Sequence, residues 1–524
     1  MNFFSRERAG DMYFTGLLLL AVALPLSLFA MSIAQFVLLA SFIIERNYRQ
    51  RMQQFLLNLP ALAITGIYIM HLIGLAWTDD FSWGKHDIVM KLPLLILPFL
   101  ISSSPLLSKK RFEILMSVFV LSVFMGSLTA VAVLTGIISR PINDIRDIFI
   151  FGISHIRFAL LTCVSIFSIT YFLYKNFQTW SMLKKISASF LAAWFIVFLI
   201  IAESVTGLFI LLAVTLITCI YLLAKNKNWR VSSVIIFFLL IFGALAYSFL
   251  HNAYHQLNIV HHEDLTKLET KTQKGNSYAH DTTSGERENG YLTWIYVCEN
   301  ELKESWNKRS EIQFDSLDRR GQWLKYTLVR FLTSKGLRKD ADGVWQLTDE
   351  EVHSVEQGIA NINYQGASNL RARILQMFIE YNTFVEGGNP SGYSVAQRAE
   401  YWKAALGIFK ENIFFGVGTG DIVHAYPSQY EKMNSRLEPN LRLRAHNQYL
   451  TFAATFGIFG LLYFIFALTF PMRSLKKSRD FLYLTFWIVA VLSMISEDTL
   501  ETQAGVTFFA FFNCLFLFAR DDGE

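Results

Sequence analysis

Two short polar segments in the last quarter of the chain carry residue types that can do chemistry. The first consists of Arg398, Tyr401 and Trp402, followed after a helix by Gly416, Gly418 and Gly420. A guanidinium is a permanently charged planar group that can donate two hydrogen bonds to one anion. Glycines permit a close approach of the backbone to a ligand. The pattern fits a phosphate-binding segment. It also fits a helix that simply ends after Asn412, because no strand–turn–helix context surrounds the glycines.

The second segment runs from Arg444 to His446 and Asn447 and leads directly into an apolar stretch. Histidine is the side chain whose charge changes closest to neutral pH. His446 is therefore suited to act as a general base, with Asn447 orienting it or binding a hydroxyl group. Histidines beside arginines at a membrane surface are also commonly simple anchors. The residues alone leave both interpretations open.

Apolar stretches must position these two segments. Twelve of them are found, at roughly 12–28, 29–44, 60–77, 88–101, 112–138, 158–174, 186–202, 207–224, 231–249, 447–470, 481–496 and 503–519. Most approach the ~20 residues that a helix needs to cross a bilayer. A helix also satisfies its own backbone hydrogen bonds in lipid. We therefore predict an all-α polytopic membrane protein with about twelve transmembrane helices.

The charges between these stretches predict their orientation. If the N-terminus is cytoplasmic, the connections on that side carry sixteen Lys and Arg residues, against five in the short connections on the other side. By the positive-inside rule, both termini are then cytoplasmic and the one long polar insert lies outside the cytoplasm. The predicted domains are a nine-span bundle at 1–250, the insert at 251–446, and the last three spans with a short tail at 447–524.

The insert is predicted to be mainly helical. Thr348 and Glu351 have the spacing of a capping box, which marks the start of a helix. Helical apolar spacing also occurs at 322–335, 369–384 and 397–411. Cys298 is the single cysteine of the insert, so the insert must fold by packing without an internal disulfide.

Several classes of function are disfavoured by these patterns. The basic residues are spread over helix ends, so no nucleic-acid partner is expected. Apart from His71, the spans carry no ionisable residue near their centres, unlike ion-coupled transporters, and a glycolipid transporter is therefore only a remote alternative. The insert histidines His251, His255, His261 and His262 lie in a polar loop without cysteine, and we predict no metal site there.

Polar side chains gather instead where the spans reach the non-cytoplasmic side. They are His155, Arg157, Glu203, Ser204, Arg442, Arg444, His446, Asn447, Glu497, Asp498 and Glu501. Each one alone is an ordinary solvated helix end. Together they predict a polar floor beneath the insert, facing a ligand whose apolar part stays in the lipid.

These motifs resemble the O-antigen ligase and O-antigen polymerase superfamily. The motifs are Arg398-x-x-Tyr401-Trp402, the run Gly416-x-Gly418-x-Gly420, His446-Asn447-x-x-Leu450 with Gly457-x-x-Gly460, and the ending Glu497…Glu501-x-Gln503-x-Gly505. The resemblance covers roughly residues 397–518. The span count and the position of the long loop extend it to the whole chain.

The resemblance implies a glycosyltransferase in the bacterial inner membrane that works on the periplasmic face. It would move a glycan from undecaprenyl diphosphate to an acceptor hydroxyl, on the lipid A core in ligases or on another glycan in polymerases. His446 matches the family histidine proposed to deprotonate the acceptor, and Arg398 would contact the diphosphate. Arg157 corresponds by position to another phosphate-binding arginine. The family uses neither metal nor cofactor.

One position departs from the family pattern. Val205 stands where many members have an arginine. The resemblance then assigns its electrostatic role to Arg157, Arg442 or Arg444, or else implies a different lipid carrier. A ligase, an O-antigen polymerase and a protein O-oligosaccharyltransferase share this catalytic logic. The sequence does not separate them.

Overall fold

The structure is a computed structural model that describes residues 3–142, 145–225, 261–283, 286–319, 321–365 and 394–520, with isolated positions in 232–252 and residue 377. Contacts divide the chain into two compact units. The first comprises 1–225 and 389–524, and the second comprises 226–388. These units differ from the predicted domains, because residues 394–446 pack with the apolar helices of the first unit rather than with the insert.

The first unit contains the long apolar helices. They are α1 Phe3–Leu26, α2 Leu28–Glu45, α3 Tyr48–Leu57, α4 Leu59–Ile73, α5 Phe81–Met90, α6 Pro93–Ser102, α7 Lys109–Leu134, α8 His155–Lys175, α9 Met182–Ile201 and α10 Val205–Lys225. In the second unit, the short hairpin β1 Arg287–Glu288 and β2 Tyr291–Leu292 is followed by α11 Glu299–Arg309, α12 Leu324–Ser334, α13 Ala341–Trp345 and α14 Asp349–Glu356. The first unit resumes with α15 Ser394–Glu411, α16 Ile422–Lys432, α17 Gln448–Ser474, α18 Phe481–Ser496 and α19 Gln503–Phe518.

Among the described residues, seven helical segments are long and apolar enough to cross a membrane, and three shorter apolar helices accompany them. The chain is thus a mostly helical multi-pass membrane protein. The count of twelve spans stays a prediction. The predicted stretch 88–101 is divided between α5 and α6, which meet at Lys91 and Leu92, while most of 231–249 lies outside the described residues.

The second unit has its own apolar core. Leu302 and Trp306 of α11 pack with Leu328 and Phe331 of α12 and with Val355 of α14, all fully buried. The predicted capping box is confirmed at the start of α14, where Thr348 and Glu351 satisfy each other's backbone N–H groups. The predicted helices at 322–335 and 397–411 are also found, whereas 369–384 lies outside the described residues. Cys298 is a free thiol.

A break in α17 joins this helix to the glycine run. Gly457 has φ +66° inside the helix, and Gly416 has the same φ in the segment after α15. The two backbones touch, since a Cβ on Gly457 would lie 2.3 Å from the Phe414 carbonyl and one on Gly416 2.3 Å from that of Thr455. These glycines therefore serve close packing of two main chains, which no side chain would permit.

Replacing Gly457 with alanine should destabilise the protein by about 2–4 kcal/mol, because a left-handed φ and a main-chain clash act together. Thermal unfolding followed by size-exclusion chromatography in detergent measures the effect. Gly10→Ala is the matched control, since a Cβ there meets nothing within 4 Å in a helix. Equal unfolding temperatures for the two variants would contradict the role of this contact.

Candidate functional site

His446 lies in a sharp turn just before α17. Its φ is +47°, a conformation that is uncommon for residues other than glycine. The Asp498 carboxylate holds the turn in place. Its oxygens accept hydrogen bonds from the N–H of His446 (3.0 Å), the N–H of Asn447 (3.0 Å) and the Thr451 hydroxyl (2.7 Å). Strained backbone that is fixed by buried neighbours is typical of functional sites.

The His446 ring faces a mixed set of charges. Its centroid lies 5.7 Å from that of Tyr401. Burial lowers the pKa of His446 below its ordinary value of 6.5; Glu497 acts in the opposite direction, and the Arg398 and Arg157 cations lower it further. Neither ring nitrogen has a hydrogen-bond partner among the described residues. His446 is therefore neutral at pH 7 and able to accept a proton.

Asp498 is a buried acid and Glu497 a half-buried one, and both lie on the turn between α18 and α19. Burial and the neighbouring Glu501 raise the pKa of Asp498 to about 6, against the hydrogen bond from Thr451. Burial also raises the pKa of Glu497, while His446 and the arginines lower it. Asp498 is ionised at neutral pH and protonates as the pH falls through about 6, when it loses acceptor capacity for the turn.

Asp498→Asn should lower glycan transfer about 10–100-fold through kcat rather than the donor KM, because one amide oxygen cannot replace two carboxylate oxygens as acceptors. Steady-state transfer assays and thermal unfolding measure the two effects separately. Glu411→Gln removes a half-exposed carboxylate that pairs with Lys432 at 2.7 Å, and it serves as the control. Unchanged kcat in Asp498→Asn would show that the turn needs no charged anchor.

Arg157 begins α8 and reaches the same acidic turn. Its Nη1 donates to Ser154 at 3.3 Å, and its Nη2 donates to the Asp498 carbonyl at 3.4 Å. The buried Nε has no hydrogen-bond partner among the described residues. Gly505 leaves room for this side chain, since a Cβ there would lie 3.0 Å from the Arg157 Nε. One donor of this guanidinium thus has no protein partner among the described residues.

Arg398 on α15 is half-buried and has no hydrogen bond or ion pair among the described residues. It lies close enough to His446 and Glu497 to shift the pKa values of both. Arg398, Arg157 and His446 therefore share one electrostatic neighbourhood. The structure brings together three side chains that lie far apart in the sequence.

The two arginines before His446 are engaged by the protein itself. Arg444 Nη1 pairs with Glu501 at 2.9 Å, and its guanidinium lies over the Trp83 ring at 5.3 Å. Arg442 donates from Nε to the Leu437 carbonyl at 3.1 Å. This hydrogen bond stabilises the loop that precedes His446. Arg444 keeps one buried donor, Nη2, without a partner among the described residues.

Glu501 connects Arg444 to a buried polar network. Lys91, whose side chain is 0% exposed, donates to Glu501 at 3.0 Å and also pairs with Asp87. His71 Nδ1 lies 2.8 Å from an Asp87 oxygen, although the approach is not aligned as a hydrogen bond. Burial opposes the charge on Glu501, but Lys91 outweighs it and the pKa of Glu501 is lowered. Lys91, which the count of charges placed in a short connection on the non-cytoplasmic side, is fully buried in this network, and His71 is not an isolated histidine.

The remaining predicted site residues have structural contacts. The Asn447 side chain caps α17 by accepting from the N–H groups of Tyr449 and Leu450, both at 3.1 Å. The Tyr401 hydroxyl donates to Gln397 at 3.3 Å, and the buried Trp402 Nε1 has no partner among the described residues.

The glycine run does not offer its N–H groups to a ligand. The N–H groups of Gly416, Gly418 and Gly420 donate to Asn412 O, Thr455 O and Thr78 Oγ1 at 3.0, 2.9 and 3.1 Å. A phosphate cradle would need these donors free. The run instead supports the site by packing.

Sequence reasoning recognised the acidic turn 497–501 as part of a polar rim, but it did not identify Asp498 as the anchor of His446 or Lys91 as the partner of Glu501. Asp87 and Lys91 have the i, i+4 spacing of a helical ion pair, which was the available signal. Within the described parts of the chain, no group of three or more His, Cys, Asp or Glu residues could hold a metal ion.

Comparison with known proteins agrees with this geometry. Residues 356–465 match the family described as O-antigen ligase, and the match includes Arg398, the glycine run, His446 and the break at Gly457. Over this segment the chain is similar to the O-antigen ligase superfamily. Members of this superfamily are glycosyltransferase-like enzymes. No curated protein matches the chain.

Proposed function

We propose that the protein transfers a glycan from undecaprenyl diphosphate to an acceptor hydroxyl, with a lipid A core as the acceptor, as an O-antigen ligase does. In this proposal it works at the periplasmic face of the bacterial inner membrane, with both termini in the cytoplasm. The observation that carries the proposal is the His446 turn. A neutral imidazole without a hydrogen-bond partner among the described residues projects from a turn whose backbone Asp498 holds, near two arginines with unused donors.

The proposed reaction is a single displacement. His446 takes the proton from the acceptor hydroxyl, and the hydroxyl oxygen forms a bond to the anomeric carbon of the donor glycan. The bond between that carbon and the diphosphate oxygen breaks, and undecaprenyl diphosphate leaves with the electron pair. Glu497 stabilises the imidazolium that forms, because its charge raises the pKa of His446. General-base catalysis of this kind contributes ~10²–10⁴-fold.

Arg398 and Arg157 act on the leaving group. Negative charge grows on the diphosphate as the glycosidic bond breaks, and fixed guanidinium groups in a partly dehydrated site stabilise that charge more than the ground state. The proposal invokes no metal or cofactor. Arg444 remains a further candidate for the diphosphate through its unpaired Nη2. The contacts of Arg442 favour a structural role.

The test is transfer by the purified full-length protein in proteoliposomes that contain an undecaprenyl-diphosphate-linked glycan. Three acceptors are supplied separately: a lipid A core, a second glycan and a Ser/Thr-containing protein. We expect loss of the donor and a glycan-bearing lipid A core. A ladder of longer glycans would assign a polymerase instead, and modified protein would assign an O-oligosaccharyltransferase. Movement of intact donor across the bilayer without any conjugate would support a transporter and reject the proposal.

A further inference from the structure

The second compact unit contains an open cavity of about 370 Å³. Its walls include Glu263, Tyr291, Tyr296, Arg338 and Lys339. Pockets for small ligands typically measure ~300–1,000 Å³ and place a few polar groups against a shaped wall. The cavity is thus large enough for a sugar residue.

Lys339 is the unusual group in this wall. The residue is only 3% exposed, yet its ammonium has one hydrogen bond, to the Leu292 carbonyl at 3.3 Å. An ammonium has three donors, and no carboxylate lies within ion-pair distance among the described residues. Burial lowers the pKa of Lys339 to about 8, while Glu263 and Asp340 act in the opposite direction. The group therefore remains mostly charged at pH 7, which is costly without a partner.

The neighbouring carboxylates compensate Lys339 only in part. Glu263 lies in the same wall and favours the ammonium charge from beyond ion-pair distance. The Asp340 carboxylate is already engaged, accepting from the Tyr278 hydroxyl and from the Gly343 N–H. Arg338 is neutralised separately by both oxygens of Glu269. Lys339 is thus the cation of this wall that has no ion-pair partner among the described residues.

The tyrosines of the cavity are held rigidly. Tyr296 has φ +54°, which is a genuine outlier for a bulky residue, and the Arg338 guanidinium lies over its ring at 4.8 Å. The Tyr291 ring stacks on His261 with centroids 3.9 Å apart, and a Cβ on Gly336 would lie 2.8 Å from it. The Tyr291 hydroxyl has no hydrogen-bond partner among the described residues. The same cavity wall therefore carries a fixed phenol and an ammonium that has no ion-pair partner among the described residues.

We propose that this cavity binds a sugar residue that carries an anionic group, with Lys339 pairing the anion and the Tyr291 hydroxyl bonding the sugar. A phosphate and a carboxylate are the two forms of this chemistry. The choice of a sugar rests on the proposed function, since a transferase meets glycans on both its donor and its acceptor. The choice of an anion rests on Lys339 alone.

Isothermal titration calorimetry on the full-length protein in detergent tests the proposal with four probes: glucose 6-phosphate, glucuronic acid, glucose and inorganic phosphate. We expect at least one anionic sugar to bind about tenfold or more tightly than either glucose or inorganic phosphate. Tighter binding of glucose 6-phosphate identifies the anion as a phosphate, and tighter binding of glucuronic acid identifies it as a carboxylate. Equal binding of glucose, equally tight binding of inorganic phosphate, or no binding at all would overturn the proposal.

Lys339→Met keeps the length of the side chain and removes its charge. The variant should bind the anionic sugar at least about tenfold more weakly than wild type. Its unfolding temperature should not fall, because an unpaired buried charge is replaced by an apolar group. Lys267→Met is the matched control, since Lys267 lines the same cavity but is exposed and pairs with Asp264 at 3.2 Å. Equal affinities in wild type and Lys339→Met would reject the assignment.

Tyr291→Phe provides a second test that removes only a hydroxyl. The variant should bind the anionic sugar more weakly than wild type and bind inorganic phosphate with unchanged affinity. Unaltered affinity for the sugar would count against the proposal. The same titrations in His446→Ala should give wild-type affinity. Intact binding without any glycan transfer would reject the proposed function alone. Transfer by a protein whose cavity binds none of the probes would reject the cavity alone.

Discussion

His446→Ala should lower the rate of glycan transfer by ~10²–10⁴-fold, the range for loss of a general base. Donor binding should change little, because the arginines and the Asp498-anchored main chain remain. The Asp498 contacts to this turn come from backbone N–H groups, which alanine retains. The measurement is single-turnover transfer in proteoliposomes at matched protein content, with donor affinity determined separately.

His424→Ala is the matched control for this experiment. His424 lies in the same unit with its side chain 70% exposed, and it pairs with Asp80 at 2.9 Å on the surface. Such surface pairs contribute little to stability. Its transfer rate should stay close to wild type. A His446→Ala protein that transfers as fast as His424→Ala would remove His446 as the base and leave it as an interfacial anchor.

Arg398→Gln should lower kcat by ~10²–10³-fold, as removal of one preorganised donor to a developing anion does elsewhere. Arg398 has no protein partner among the described residues, so the loss should come from the substrate rather than from unfolding. We expect the unfolding temperature to stay within a few degrees of wild type, about the effect of a surface substitution. Transfer kinetics and thermal unfolding on the same preparation check both statements.

Lys403→Gln is the control for Arg398, because it removes one cation from the same helix. Lys403 is largely exposed and pairs with Glu400 at 2.9 Å. Its kcat should remain near the wild-type value. If Lys403→Gln lowers kcat as much as Arg398→Gln, the effect comes from general positive charge on α15. A specific contact with the diphosphate would then be excluded.

The sequence was sufficient to predict individual elements of the fold and of the site. Apolar runs of helical length predicted the membrane helices, and the spacing of Thr348 and Glu351 predicted the start of α14 correctly. Asn447 directly before an apolar run is also the usual position of an N-cap, although its type suggested a ligand contact as well. Local patterns of this kind depend on neighbours in the chain, which the sequence displays.

Contacts between segments that lie far apart in the chain could not be predicted from the sequence. Lys91 was counted among the residues of a short connection, but its charge is compensated by Glu501, which lies 410 residues later. In the same way, Asp498 is separated by 52 positions from the N–H of His446 that it accepts. Their charges predicted only that these residues lie at the polar ends of helices. The pairings follow from packing of α17 and of the 497–501 turn, which no local pattern encodes.

The glycine run illustrates how one pattern fits two structures. Gly416 and Gly457 have the left-handed φ that the residue type permits, yet each meets the other segment's backbone instead of a phosphate. Spacing could not reveal that partner, since it lies in the middle of a predicted transmembrane helix. Both glycines lie within the family match at 356–465.

The most direct test of a neutral His446 base is the pH dependence of the single-turnover transfer rate in wild type and in Arg398→Gln. His446 has a pKa below its ordinary 6.5, and Asp498, which holds the His446 turn, has a pKa of about 6, so activity should be present at neutral pH and lost as the pH falls through these two pKa values. Removing the Arg398 cation should raise the His446 pKa and so move the acid limb to higher pH. An acid limb that lies above pH 6.5 in wild type, or that does not move in Arg398→Gln, would contradict the account.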